Sequence, residues 1–240
     1  MENVITPSEF EIPYFPNPDG EVVAYELLRS ANTASLSTHD PVSAFPFCTL
    51  VNVAASFDGS PLIYVSNLSL HTRNILANPK VSLLISPAAK ADLPRTTRIT
   101  VVGNAVAMVD PIFKERFNTY NPSYADYPAV GGFYIFKIEV LGVHFVDGAG
   151  GPSQLALDRI VNAHIESCNV TEIKNGRQPK VNDDLIQAVE RILETRSVEF
   201  SNPPSILSVD PDGVLVNLDG KLRFLKQDTS PDFVGLSQRI

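Results

Sequence analysis

Residues 61–88 read PLIYVSNLSLHTRNILANPKVSLLISPA, and the order of elements within them decides the fold. Pro61 to Asn67, rich in β-branched and aromatic residues, predicts a strand; Ser69 to Ala77 predicts a short helix opened by a hydroxyl residue; Lys80 to Ser86 predicts the next strand. The first turn of that helix holds Ser69, His71, Thr72 and Arg73. Amide N–H groups without intrahelical partners, a hydroxyl, an imidazole and a guanidinium are the groups that bind a phosphate-sized anion at a helix start.

Upstream, Glu21 to Ala31 carries apolar residues at Val22, Val23, Leu27 and Leu28, a helical spacing with Asp19 as its expected cap. Ala34 to His39 and Phe47 to Phe57 follow as strands, the second joined to Pro61–Ser66 through Asp58-Gly59, a hairpin signal that makes the two antiparallel neighbours. Downstream, Thr97 to Val109 is a β-branched run in which Gly103 marks a bulge or bend. Asp110-Pro111 then caps a helix that Asn121-Pro122 ends. Phe133 to Val146 is a long strand interrupted by Gly142. About six strands with few, short helices predict a small barrel rather than a layered α/β sheet.

GAGGP at Gly148–Pro152 marks the expected domain boundary, giving a barrel over residues 1–151 and a small α+β unit over residues 152–240. Within the latter, Ser153 to Cys168 reads as a helix, Asn169 to Asn182 as a linker, Asp183 to Thr195 as a second helix, and the tail as a β-hairpin centred on Asp219-Gly220.

The 240 residues carry 19 basic against 27 acidic side chains, a formal net charge of −8. That balance argues against nucleic acid or an anionic membrane as a partner, so any phosphate must be held by a focused site. Two cysteines, Cys48 and Cys168, form neither a disulfide framework nor a metal-ligand pair, which fits a reducing cytoplasm. Cys48, among apolar strand neighbours, reads as a buried thiol. No apolar run approaches the roughly 20 residues of a membrane span, and the first residues lack the pattern of a signal peptide. The four histidines have no metal spacing.

The chain resembles the FMN-binding split-barrel superfamily typified by pyridoxamine 5′-phosphate oxidase, and most closely its haem-utilisation, HugZ-like branch. The resemblance rests on ANTASLST (31–38), FPFCTLVNVA (45–54), SNLSLHTRNILANPKVSLLIS (66–86), RITVVGNA (98–105) and HFVDGAGG (144–151). It implies a six-stranded antiparallel split β-barrel with short helices, working as a homodimer with FMN in a groove at the interface. Carried onto this chain, it implies phosphate contacts from Ser69, His71 and Arg73, with Thr72 beside them at the helix start; it sets Thr49 about where the oxidases have an arginine and Arg98 near a flavin-contacting position, with the flavin running alongside Tyr64, Val65 and Ser66. His71 stands where the oxidases have a lysine, which makes anion attraction depend on pH. The chain has no tryptophan and no counterpart of the C-terminal arginine and histidine that grip pyridoxal phosphate in those oxidases, so vitamin B6 oxidation is not the expected activity.

Ser205–Lys226 resembles the small domain after the barrel in HugZ-like proteins, without that branch's histidine-rich helix: no histidine follows His164. Three readings stand. The first is an FMN-dependent oxidoreductase acting on a small molecule or tetrapyrrole. The second is a haem-binding or haem-degrading protein, the third a non-enzymatic regulator of tetrapyrrole metabolism. The sequence names no catalytic acid or base. Ser69 is also a helix cap by type, Arg73 a candidate surface ion pair, and His144 a candidate structural hydrogen-bonding residue in its strand.

Overall fold

The computed structural model describes residues 18–87, 96–125, 132–146, 152–155, 181–210 and 212–226. Its first part runs α1 (Pro18–Ser30), β1 (Thr33–His39), β2 (Pro46–Ala55), β3 (Pro61–Ser66), α2 (Leu70–Ala77), β4 (Lys80–Ile85), β5 (Arg98–Met108), α3 (Pro111–Tyr120), a 3-10 turn (Pro122–Tyr124) and β6 (Phe133–Val146). Helix α1 begins before Glu21, so Asp19 lies inside it and is not its cap.

Neighbouring strands follow the order β3-β2-β1-β4-β5-β6, and a further antiparallel pairing of β3 with β6 closes these six into a barrel. This pairs β3 on both sides, while β2 meets β3 only over Val53–Ala55. The alternation of each strand then sorts its residues: Leu36, Leu62, Leu83, Ile99, Val101, Ile138 and Phe145 are buried in the barrel core.

Turn and cap chemistry follows the sequence. Asp58 accepts from the amide (2.9 Å) and hydroxyl (3.0 Å) of Ser60, and Gly59 takes φ 92°. Asp110 caps α3 by accepting from the Ile112 amide at 3.2 Å, with Pro111 in the first turn. The bend in β5 is a register shift: Val102 pairs with Gly142 but Gly103 pairs with Val140, so Leu141 is the extra residue on β6. Gly103 itself is pressed against β6, where an added Cβ would lie 2.2 Å from the Glu139 carbonyl oxygen.

Three further readings differ from the structure. Ser153 and Gln154, expected to open a helix, lie instead in a short strand β7 (Pro152–Gln154) paired with His144–Val146, where the last residues of β6 offer backbone partners. The remainder of that expected helix and most of the linker lie outside the described residues. Cys48 is exposed rather than buried: it alternates with Thr49 and shares the outer face of β2 with the 74% exposed Leu50. The tail is a three-stranded sheet rather than a hairpin alone. Its order is β10-β9-β8, with β8 Ser205–Asp210, β9 Gly213–Leu218 and β10 Lys221–Lys226.

Asp219 (φ 50°) and Gly220 (φ 82°) make the predicted two-residue turn between β9 and β10. Helix α4 (Asp183–Thr195), capped by Asn182 accepting from the Leu185 amide, lays Leu185, Val189, Ile192 and Leu193 on one face of this sheet. Leu215 and Phe224 on the other face join the barrel's core cluster. The central strand β9 is therefore buried on both sides, which explains its near-continuous apolar run GVLVNL.

A buried ion cluster sits where the two parts meet. Asp210, at the end of β8, receives Arg116 of α3 at 2.6 Å and Arg29 of α1 at 3.0 Å, and all three side chains are almost wholly buried. Asp212 adds a second carboxylate, 2.7 Å from Arg29 and bonded to the Tyr25 hydroxyl.

Candidate functional site

The end of β3 and the start of α2 are held together by the backbone of Ser66. Its carbonyl accepts from the Ser69 amide at 3.1 Å and from the Thr72 hydroxyl at 2.6 Å, while its own hydroxyl accepts from the Leu68 amide at 3.2 Å. These bonds fix a tight strand-to-helix corner. A cleft of about 680 Å³ opens beside it. Ser66, Ser69 and His71 line one part; Tyr64, Val65 and Phe133 line another; Leu50, Val51, Asn52 and Tyr124 complete the wall.

Ser69 has the backbone geometry of an N-cap, φ −75° and ψ 146°, yet its hydroxyl makes no cap bond to the helix amides. That hydroxyl and the first amides of α2 are thus the polar groups of the corner. His71 is half-buried, and burial lowers its pKa below the ordinary value of 6.5. The cleft therefore meets neutral solvent with an uncharged imidazole.

The opposite part is aromatic. Phe133 lies 4.8 Å from Tyr64 at 32°, Tyr124 stands 6.2 Å from Tyr64 at 61°, and Phe117 backs both tyrosines at 5.7 and 5.3 Å. Lys114 places its ammonium 5.4 Å from the Tyr64 ring.

The structure brings together Tyr64, Val65, Ser66, Ser69 and His71 of the residues proposed from the sequence. It places the others elsewhere. Thr72 is buried beneath the corner as a structural hydroxyl. Arg73 is exposed outside the lining, because two residues along a helix turn its side chain about 200° from His71. Thr49 pairs with Leu36, one strand repeat before Val51 on the same face of β2, and does not line the cleft. Arg98 faces Val146 in the ladder and donates to the Thr96 carbonyl at 3.1 Å. It thus sits on the order of 40 Å along β6 from Phe133.

Sequence reasoning did not find Leu50, Val51, Asn52, Tyr124 and Phe133. Asn52, a polar residue inside the apolar run LVNVAA, was the available signal. His144 is half-buried in β6, paired across the sheet with Thr100 and Gln154, and does not line the cleft. Among the described residues no group of three or more His, Cys, Asp or Glu could hold a metal ion, and no helix is long and apolar enough to cross a membrane.

Comparison with known proteins gives concordant matches. A family model described as pyridoxamine 5′-phosphate oxidase matches residues 23–147. The chloroplastic heme oxygenase HOZ of Arabidopsis thaliana is 35% identical over 111 residues, which cover 43% of this chain and only 32% of that protein. The crystal structure of Atu2129 from Agrobacterium tumefaciens, a protein of unknown function, superposes with a TM-score of 0.71 at 23% identity, over 95% of this chain and 99% of that one. A heme binding protein from Mycobacterium smegmatis does so with a TM-score of 0.55 at 19% identity, over 95% and 98% of the two chains. These two structures share the fold.

Proposed function

The chain belongs to the pyridoxamine 5′-phosphate oxidase family, and from that premise we propose that it is an FMN-binding, homodimeric split-barrel protein that oxidises or reduces a small molecule or tetrapyrrole. One observation carries the reading: a single cleft joins an open helix start to an aromatic wall. Its volume lies within the range of small-molecule sites, roughly 300–1,000 Å³. The residues fit the cofactor. Ser66, Ser69, His71 and the first amides of α2 would hold the phosphate, and Tyr64, Tyr124 and Phe133 would flank the apolar ring. When bound, the flavin supplies the electron transfer. The chain's own residues bind it, orient it and shield it from water; His71 lines the cleft with an imidazole whose pKa burial lowers below the ordinary value.

The same region supports the proposed dimer. Val42 and Phe45, at the tip joining β1 to β2, are 92% and 72% exposed, and Leu50 of β2 is both exposed and part of the cleft wall. A second copy laid over this apolar strip would bury it and add a wall to the cleft. A reducing cytoplasm remains the proposed setting; the chloroplast belongs to the relative.

A second reading, haem in place of flavin, draws support from the sequence match to HOZ and from the neutral, half-buried imidazole of His71, a type of group that haem iron accepts as an axial ligand. The absorption spectrum of the purified full-length chain decides between them. A flavin spectrum, with FMN released on denaturation and a solution mass twice that of the chain, is the expected result. A Soret band on haem titration, lost in His71→Ala, would favour haem. Neither chromophore would leave a regulatory protein.

A further inference from the structure

Asn52 is committed at both ends of its amide. Its Nδ2 donates to Asn121 Oδ1 at 2.9 Å and to the Asn32 carbonyl at 3.2 Å, while its Oδ1 accepts from the Tyr124 hydroxyl at 3.1 Å. Asn121 is in turn fixed to the barrel by donating to the Val53 carbonyl at 2.9 Å. A half-exposed tyrosine in a short 3-10 turn would otherwise exchange among rotamers; here a chain of hydrogen bonds reaching back to β2 sets its ring. The ring stands edge-on to Phe117 at 81° and across from Tyr64 at 61°, so the aromatic part of the cleft has a fixed shape before any ligand arrives. A preorganised aromatic lining favours a ligand with a ring that can pack on it, because little side-chain entropy is lost on binding.

We propose that the Asn52–Tyr124 pair is a positioning device that selects a planar aromatic ring system at this end of the cleft, independently of anion binding at the start of α2. The proposal rests on the flavin reading given above. It separates the cleft into two parts with different chemistry: a ring part governed by Tyr124, and an anion part governed by Ser69 and His71.

FMN and riboflavin, which share the ring and differ in the phosphate, test this with the full chain by fluorescence titration. Tyr124→Leu is expected to weaken both ligands by the same factor, about tenfold from the loss of aromatic contact. Tyr124→Phe keeps the ring but drops the bond to Asn52, and should weaken both equally by roughly fivefold. Ser69→Ala should weaken FMN alone. A tyrosine with only a structural role would lower the melting temperature and leave ligand affinity in the folded protein unchanged. Riboflavin binding as in the wild type by both Tyr124 variants overturns the proposal and leaves the flavin reading standing; wild-type protein that binds neither flavin overturns both. If Tyr124→Leu fails to fold, the Tyr124→Phe pair of affinities decides.

Discussion

Ser69 and His71 differ in what they do for the fold, and that difference makes their role testable. Because the Ser69 hydroxyl makes no cap bond, Ser69→Ala should cost well under the ~1 kcal/mol usual for losing a cap while still weakening FMN. His71 is uncharged in the free protein at neutral pH because burial lowers its pKa. A phosphate dianion beside it favours the imidazolium, so binding takes up a proton. Above pH 7, where the phosphate is already doubly charged, FMN affinity should therefore fall as pH rises through the imidazole's pKa in the complex. Riboflavin affinity should stay flat. Titrations from pH 7 to 9 check the slope, and its survival in His71→Gln would assign the proton to another group.

Among the elements, the β5–β6 ladder depends on the smallest side chain available. An added Cβ at Gly103 would meet the Glu139 carbonyl at 2.2 Å, a backbone atom that cannot swing aside. Gly103→Ala should destabilise by about 3 kcal/mol, at the upper end for overpacking, which thermal or urea unfolding measures; a loss below the error of such curves would mean that β6 moves freely there. Gly103 was legible in the sequence because a lone glycine in a β-branched run has few other uses. The Asp-Gly turns, the Asp110-Pro111 start of α3 and the whole of Asp183–Thr195 were legible for similar local reasons. What stayed hidden depends on distant pairing. Phe133 meets Tyr64 only because β6 closes the barrel against β3, and Tyr124 is set by Asn52, 72 positions away. β7, three residues long, escaped notice because so short a strand becomes one only by finding a partner. Arg73 was named alongside His71 because both sit in the first turn, although the helical period separates their directions.

At the scale of the molecule, the barrel and the C-terminal sheet are joined by the cluster around Asp210. Burial alone would raise the pKa of this carboxyl, but Arg116 and Arg29 outweigh it and hold the pKa below the ordinary value. The stabilisation from an acid with a lowered pKa is present above its unfolded pKa of about 3.9. It is lost as pH falls through the folded value. Arg116 also belongs to the helix whose next residue, Phe117, backs the cleft tyrosines, so the cluster anchors α3 on a face next to the one that supports the site. Asp210→Asn keeps the volume but leaves two buried guanidinium groups with one carboxylate fewer, and should cost about 3–5 kcal/mol at pH 7. The variant should also lack the part of the acid-induced loss that Asp210 contributes below about pH 4. Urea unfolding of both proteins at pH 7 and below pH 4 measures the two effects together. An unchanged midpoint at pH 7, or an acid dependence identical to the wild type, would show that apolar packing through Leu215 and Phe224 joins the two parts without help from the ions.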